Sequence, residues 1–152
     1  MPTDLTALDG PALCARLPHH GDVCQLERIV SVDETRLVGE TRAHQRADNP
    51  LRVGGQLGVF AGVEMAGQAM ALHLALQSNG EAAGQSAGQG MITRANGLSP
   101  RVGRLDELSG PLRITVTCEA QAGEMARYGF SLEHEGAVIL DGALSVWLAN
   151  GG

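Results

Sequence analysis

Apolar and branched residues recur at short, strand-like spacing in two early segments, "VCQLERIVSV" and "ETRLVGETRAH", with a turn expected at Asp33-Glu34. Ahead of them, "LDGPALCARLPHHG" carries a helix-start signal, with Asp9 near the cap and Pro11 in the first turn, closed by Pro18 and Gly21. Behind them, "QRADNPLRVGG" is polar and broken by Pro50 and the pair Gly54-Gly55, which predicts a loop. From about Gln56 to Gln77 the pattern changes: proline is absent and Ala, Met and Leu concentrate. That run predicts a helix of about 22 residues, roughly 33 Å long. It is apolar on nearly every side, which implies burial all round rather than one wet face. Within it Gly58, Gly62, Ala66 and Ala69 make a stripe almost without side chains, where a sheet can approach closely.

The Gly/Ala/Ser/Gln-rich stretch "EAAGQSAGQG" reads as a linker. Strand character follows in "GMITRAN", "PLRITVTCEA", "MARYGFSLEHEG" and "AVILDGALSVWLA", with a hairpin turn at Glu135-Gly136. The loop "GLSPRVGRLDEL" separates the first of these from the rest. The order of elements predicts an α+β fold in a single domain spanning 1–152: one long buried helix wrapped by a mostly antiparallel sheet of about six strands.

Composition narrows the function classes. Hydrophobic residues are 43% of the 152 but aromatics only 3%, so the core is aliphatic. All 11 basic residues are arginine, against 17 acidic ones, for a net charge of -6. That balance argues against nucleic-acid binding, and an acidic protein partner would need a local arginine patch. Cys14, Cys24 and Cys118 show no metal-type spacing and read as buried or idle thiols in a reducing compartment. No GxGxxG, P-loop, GxSxG or HExxH pattern occurs, and neither cofactor nor metal is expected. The first residues lack a basic region followed by an apolar one, so secretion is not signalled and the cytoplasm is the expected compartment. Glu64, Gln68 and His73 interrupt the apolar run, which argues against a membrane span.

Those three interruptions hold the candidate chemistry. An ionised carboxylate on a helix buried all round is costly unless paired, hydrogen-bonded or neutralised. Glu64 is therefore a candidate for acid/base work; the plainer alternative is a glutamate facing solvent at a helix end or subunit rim. Gln68, at i+4, lies on the same face, placed to hold the carboxyl or to satisfy a nearby backbone group. His73 falls on the opposite side of the helix and reads as structural or exposed. His19 and His20 stand near the first strand, and His44 closes the second, free by chain position to approach a neighbouring site. The N–H groups near Gly54-Gly55, before the helix, are placed to hold a developing oxyanion or a thioester carbonyl.

Two stretches resemble the hot-dog-fold β-hydroxyacyl-acyl carrier protein dehydratases. "LPHHGDVCQLERI" is similar to the family's Leu-Pro-His-Arg opening with a downstream Asp-Arg-Val: Leu17, Pro18, His19, Arg28 and Ile29 fit, and Glu27 replaces the aspartate. "VEMAGQAMA" is similar to the helix motif Glu-Ala-Met-Ala-Gln, with Glu64 and Gln68 at matching positions. The family's His-Phe-Pro segment before the helix is missing; "NPLRVGGQLGVF" stands there instead, with Pro50 at the equivalent spacing. This combination looks more like the divergent dehydratase-type subunits of aryl polyene and related pathways.

The resemblance implies a hot-dog fold and a lyase acting on a 3-hydroxyacyl thioester carried by acyl carrier protein, in a fatty acid, aryl polyene or polyketide type pathway. It implies a homodimer, or a heterodimer with another hot-dog subunit, with the acyl chain along the helix at the interface. Glu64 would act as acid/base with Gln68, and His44 or His19 of a partner chain, a held water or a partner's histidine would supply the base. Gly54, Gly55 and Gly58 are the expected substrate-binding positions. Arg101 and Arg104, with Arg94, are the expected docking arginines for the carrier protein. Two alternatives stay open: a hot-dog thioesterase using Glu64, and a non-catalytic subunit completing a partner's site.

Overall fold

The computed structural model describes residues 5–8, 10–15, 24–77 and 90–148. His19, His20 and nearly all of the expected linker "EAAGQSAGQG" lie outside the described residues. After a single 3-10 turn at Leu5–Ala7, the elements run α1 (Gly10–Cys14), β1 (Arg28–Val32), β2 (Arg36–Thr41), a second 3-10 turn at Ala43–Gln45, and α2 (Ala61–Gln77). Four strands follow: β3 (Gly90–Pro100), β4 (Leu112–Ala122), β5 (Met125–His134) and β6 (Ala137–Leu148).

The six strands form one sheet in the order β1-β2-β4-β5-β6-β3, and every neighbouring pair is antiparallel. The chain thus leaves one half of the sheet through α2 and returns at the far edge as β3. Side chains alternate as one wetted face requires: Leu112, Ile114 and Val116 of β4 and Tyr128 and Leu132 of β5 are fully buried beneath α2. The β1–β2 turn is held by the Asp33 carboxylate, which accepts the main-chain N–H groups of Thr35 and Arg36 at 2.9 Å. Those bonds keep its carboxyl below the usual carboxylate range. At the β5–β6 turn Glu135 (φ 52°) and Gly136 (φ 82°) both take the left-handed conformation that matches a two-residue hairpin to strand twist.

The helix starts later than its apolar pattern predicts. Gly54 (φ 60°) and Gly55 (φ 80°) close a two-residue turn across which Val53 and Gln56 exchange hydrogen bonds of 2.8 and 3.1 Å. Leu57 and Val59 then pair with the loop after β3, through Leu105 N–H to Leu57 O at 2.7 Å and Val59 N–H to Gly103 O at 3.0 Å. Tertiary pairing overrides helix propensity for these few residues. The small-residue stripe begins at Gly62, where an added Cβ would stand 2.7 Å from Leu132 Cδ2 and 2.9 Å from Leu140 Cδ2. What it admits is the sheet's leucine side chains; Gly58 lies before the helix, with nothing within 4 Å of its would-be Cβ.

Two further expectations change. β3 is longer than "GMITRAN", running through Pro100 because it follows β6 across irregular register. Cys24 is disulfide-bonded rather than an idle thiol, since closeness in space is not visible as sequence spacing. Cys118 is the free cysteine among the described residues. Among those residues no helix is long and apolar enough to cross a membrane.

Candidate functional site

The first turn of α2 opens into a groove of about 630 Å³, walled mainly by Leu51, Val59, Phe60, Val63, Pro100 and Val102. Glu64 is the one titratable side chain among the described residues lining it. The rest of the helix is packed on almost every side, with Met65, Ala66, Ala69 and Met70 fully buried. Glu64 itself is partly exposed, because the groove cuts into the helix end at that point. The carboxylate thus faces apolar walls and solvent together, in the first turn of the helix. Its place in the first turn also sets the negative charge at the favourable end of the helix dipole.

Gln68 is buried one turn further on. Its Oε1 accepts the main-chain N–H of Gln25 at 2.7 Å, and its Nε2 lies 3.5 Å from Glu64 Oε1. Of the two alternatives in the sequence, the bond to a backbone group is made at 2.7 Å, and the Glu64 carboxyl lies within 3.5 Å of the same amide. Two residues not singled out from the sequence complete the arrangement. Gln25 and Asn49 are buried and pair by their amides, Asn49 Nδ2 donating to Gln25 Oε1 at 2.8 Å and Gln25 Nε2 to Asn49 Oδ1 at 3.4 Å. Asn49 also donates to Ala43 O at 2.8 Å and accepts from Leu51 N–H at 2.9 Å. The Asx-type turn at "NPL" was a legible signal for Asn49; Gln25, between buried Cys24 and Leu26, left none.

The histidines are elsewhere. His44 is buried and donates from Nε2 to Leu108 O at 3.0 Å, and burial pushes its pKa below the ordinary value. It is not among the groove's lining residues, so the structure does not bring it to Glu64 within one chain. His73 is also fully buried: Tyr128 O–H donates to its Nδ1 at 2.5 Å and its Nε2–H donates to Asp33 O at 2.9 Å. Burial lowers the pKa of His73 and raises that of the Tyr128 hydroxyl. His134 bonds Ser109 O at 2.7 Å.

Gly54 and Gly55 sit in an exposed turn rather than at the helix start. The first N–H groups of α2, from Ala61, Gly62 and Val63, already donate to the carbonyls of Gly58, Val59 and Phe60. Of the three glycines, Gly58 lines the groove. Arg101 pairs with Asp141 at 3.4 Å, and Arg104 with Asp106 and Glu107. The Arg104 guanidinium, joined by Leu57 N–H, holds the Asp106 carboxyl far below the carboxylate range. Arg94 is exposed on β3 and makes no ion pair among the described residues. No group of side chains among those residues is arranged to hold a metal ion.

No curated protein matches the chain by sequence. A solved structure titled the dehydratase heterocomplex ApeI:P from Xenorhabdus doucetiae is similar at 17% identity, covering 91% of each chain, with a TM-score of 0.75. A mutant thioesterase from Pseudomonas aeruginosa is 15% identical over 94% of this chain and 95% of its own, with a TM-score of 0.60. Zebra fish thioesterase superfamily member 2 is 14% identical over 94% and 100%, with a TM-score of 0.63. These likenesses show the fold, the hot-dog arrangement of dehydratases and thioesterases. The family model described as ApeP-like, ApeP dehydratase, matches residues 11–150. With nearly its whole length matched by that model, the chain belongs to the ApeP-like family of dehydratases, as a divergent hot-dog member.

Proposed function

We propose that this protein is a subunit of a 3-hydroxyacyl thioester dehydratase acting on acyl chains carried by acyl carrier protein, in a fatty acid, aryl polyene or polyketide type pathway of the cytoplasm. The observation that carries this reading is the lone carboxyl of Glu64 in an otherwise apolar groove. Dehydration removes a proton from the carbon next to the thioester carbonyl and expels the β-hydroxyl, which leaves as water once protonated. Glu64 donates that proton, and the apolar walls hold the acyl chain against it. The base comes from a second hot-dog subunit seated over the groove, since no histidine lines the groove among the described residues. Support for a different chain in that place comes from the similar structure titled as a heterocomplex. Phe60, about half exposed at the groove's rim, gives the partner an apolar seat.

A carrier protein docks in this reading on Arg94, Arg101 and Arg104. Arg104 shares Asp106 with the Leu57 N–H ahead of α2, so Arg101→Glu is the cleaner test: weaker carrier-protein binding is expected, and unchanged binding removes Arg101 from the surface. Gly58, and less directly Gly54 and Gly55, leave room for the thioester arm. A second reading, hydrolysis of the thioester by the same carboxyl, is favoured by the absence of a histidine from the described groove lining. Mass spectrometry of a 3-hydroxyacyl carrier-protein thioester incubated with the protein separates the readings. Loss of water supports dehydration, free acid supports hydrolysis, and turnover appearing only with a second hot-dog subunit supports the composite site. Normal turnover by Glu64→Gln would remove both enzymatic readings.

A further inference from the structure

We propose that the buried Gln25–Asn49 amide pair is the positioning device of the Glu64 carboxyl, acting through Gln68 on the helix and through Leu51 on the groove wall. The inference rests on the reading of Glu64 as the reacting acid.

The hydrogen bonds run in one sense. Main-chain N–H groups can only donate, so Leu51 N–H fixes Asn49 Oδ1 as an acceptor and turns Asn49 Nδ2 toward Ala43 O and Gln25 Oε1. At the next step Gln25 N–H fixes Gln68 Oε1 as an acceptor. Gln68 is then obliged to present its NH₂ to Glu64, and its amide cannot flip without leaving a buried N–H unpaired. Because Gln68 approaches Glu64 Oε1, that oxygen is kept as the accepting one. Oε2 is left to carry the proton that the reaction needs. The Gln68–Glu64 separation of 3.5 Å is long, as catalytic bonds often are before substrate binds.

Cys24 to Leu26 lie ahead of β1, where Gln25 spends its N–H on the helix, while Glu27 N–H reaches Glu40 O of β2 at 3.3 Å. Gln25, Asn49 and Gln68 are all nearly or fully buried, so this orientation is protected from water that would compete for the same bonds.

The test compares the full chain with Gln25→Met and Glu64→Gln. Gln25→Met keeps the main-chain bond to Gln68 and deletes only the amide pairing. The first readout is the NMR signal of the Gln68 side-chain NH₂ across an acid titration. It is expected to shift with the Glu64 carboxyl in the native chain, to stay flat in Glu64→Gln, and to move less in Gln25→Met. A native signal that does not follow the titration overturns the proposal whether or not the protein turns over alone. The second readout is turnover with the partner subunit present, where Gln25→Met is expected to lose roughly tenfold in kcat with KM nearly unchanged and an altered pH profile. If Glu64→Gln abolishes turnover while Gln25→Met keeps kcat and pH profile, the positioning role fails alone. If Glu64→Gln turns over normally, the acid role fails instead. Should Gln25→Met not fold, Asn49→Ser retains a donor and replaces it in both readouts.

Discussion

Glu64 and His73 stand on the same apolar helix, and the two ends treat a polar side chain in opposite ways. At the C-terminal end His73 is sealed in, with both ring nitrogens satisfied by Tyr128 O–H and Asp33 O. At the N-terminal end Glu64 opens onto a groove, with one long bond from Gln68 and the rest of its hydrogen-bonding capacity uncommitted by that amide. A polar group whose partners are complete adds to stability and specificity of packing; one left partly unmet at a cavity is available to a ligand. Burial alone would have ranked His73 as the more unusual residue. The state of its partners reverses that order.

The comparison breaks most sharply at Glu64. Glu64→Gln is expected to reduce single-turnover dehydration by about a hundredfold or more, while the thermal midpoint barely moves. Comparable losses in both would mean that Glu64 is structural like His73. At the other end, His73→Leu removes the partner of the Tyr128 O–H in the interior and should cost about 2–4 kcal/mol in urea unfolding. The surviving folded protein should keep its turnover; a large fall in kcat would assign His73 to the reaction. A smaller contrast separates two glycines. Gly62→Ala pushes a methyl against Leu132 and Leu140 and should cost about 1–2 kcal/mol. Gly58→Ala meets nothing and should stay within about 0.5 kcal/mol, showing its effect as a raised KM if the thioester arm passes there.

The smallest effect is in pH. Burial lowers the pKa of both His73 and His44 below 6.5 in the folded chain. Below that pH the unfolded chain takes up protons that the fold refuses, so their contribution to stability is full above 6.5 and declines as pH falls through the lowered values. Urea midpoints should decline with acid in the native chain and decline less steeply in His73→Leu. An equal slope would show that His73 is not neutral in the fold.

Much of this architecture was legible because it follows from local rules. The buried helix showed in a run without proline or a charged face, the β5–β6 turn in Glu135-Gly136, and the sheet in alternating apolar residues from Leu112 to Leu148. The Glu64–Gln68 relation followed from i,i+4 spacing. The helix start was misread because Leu57 and Val59 are as apolar as helix residues, and only pairing with Gly103 and Leu105 makes them extended. Arg101 and Arg104 showed as a basic loop, whereas their carboxylate partners Asp141 and Asp106 show only in the folded chain.

Periodicity, turn chemistry and charge were therefore sufficient for an aliphatic α+β domain with one suspect carboxylate on its buried helix, since each of these depends on neighbours within a few residues. Packing was needed to open the groove at Glu64, to seal His73 against Tyr128, to withhold His44 from the groove, to pair the amides of Gln25 and Asn49, and to seat the Gln25 N–H on Gln68. Those relations join residues tens of positions apart, and a hydrogen bond answers to distance and direction in space, which no local pattern encodes.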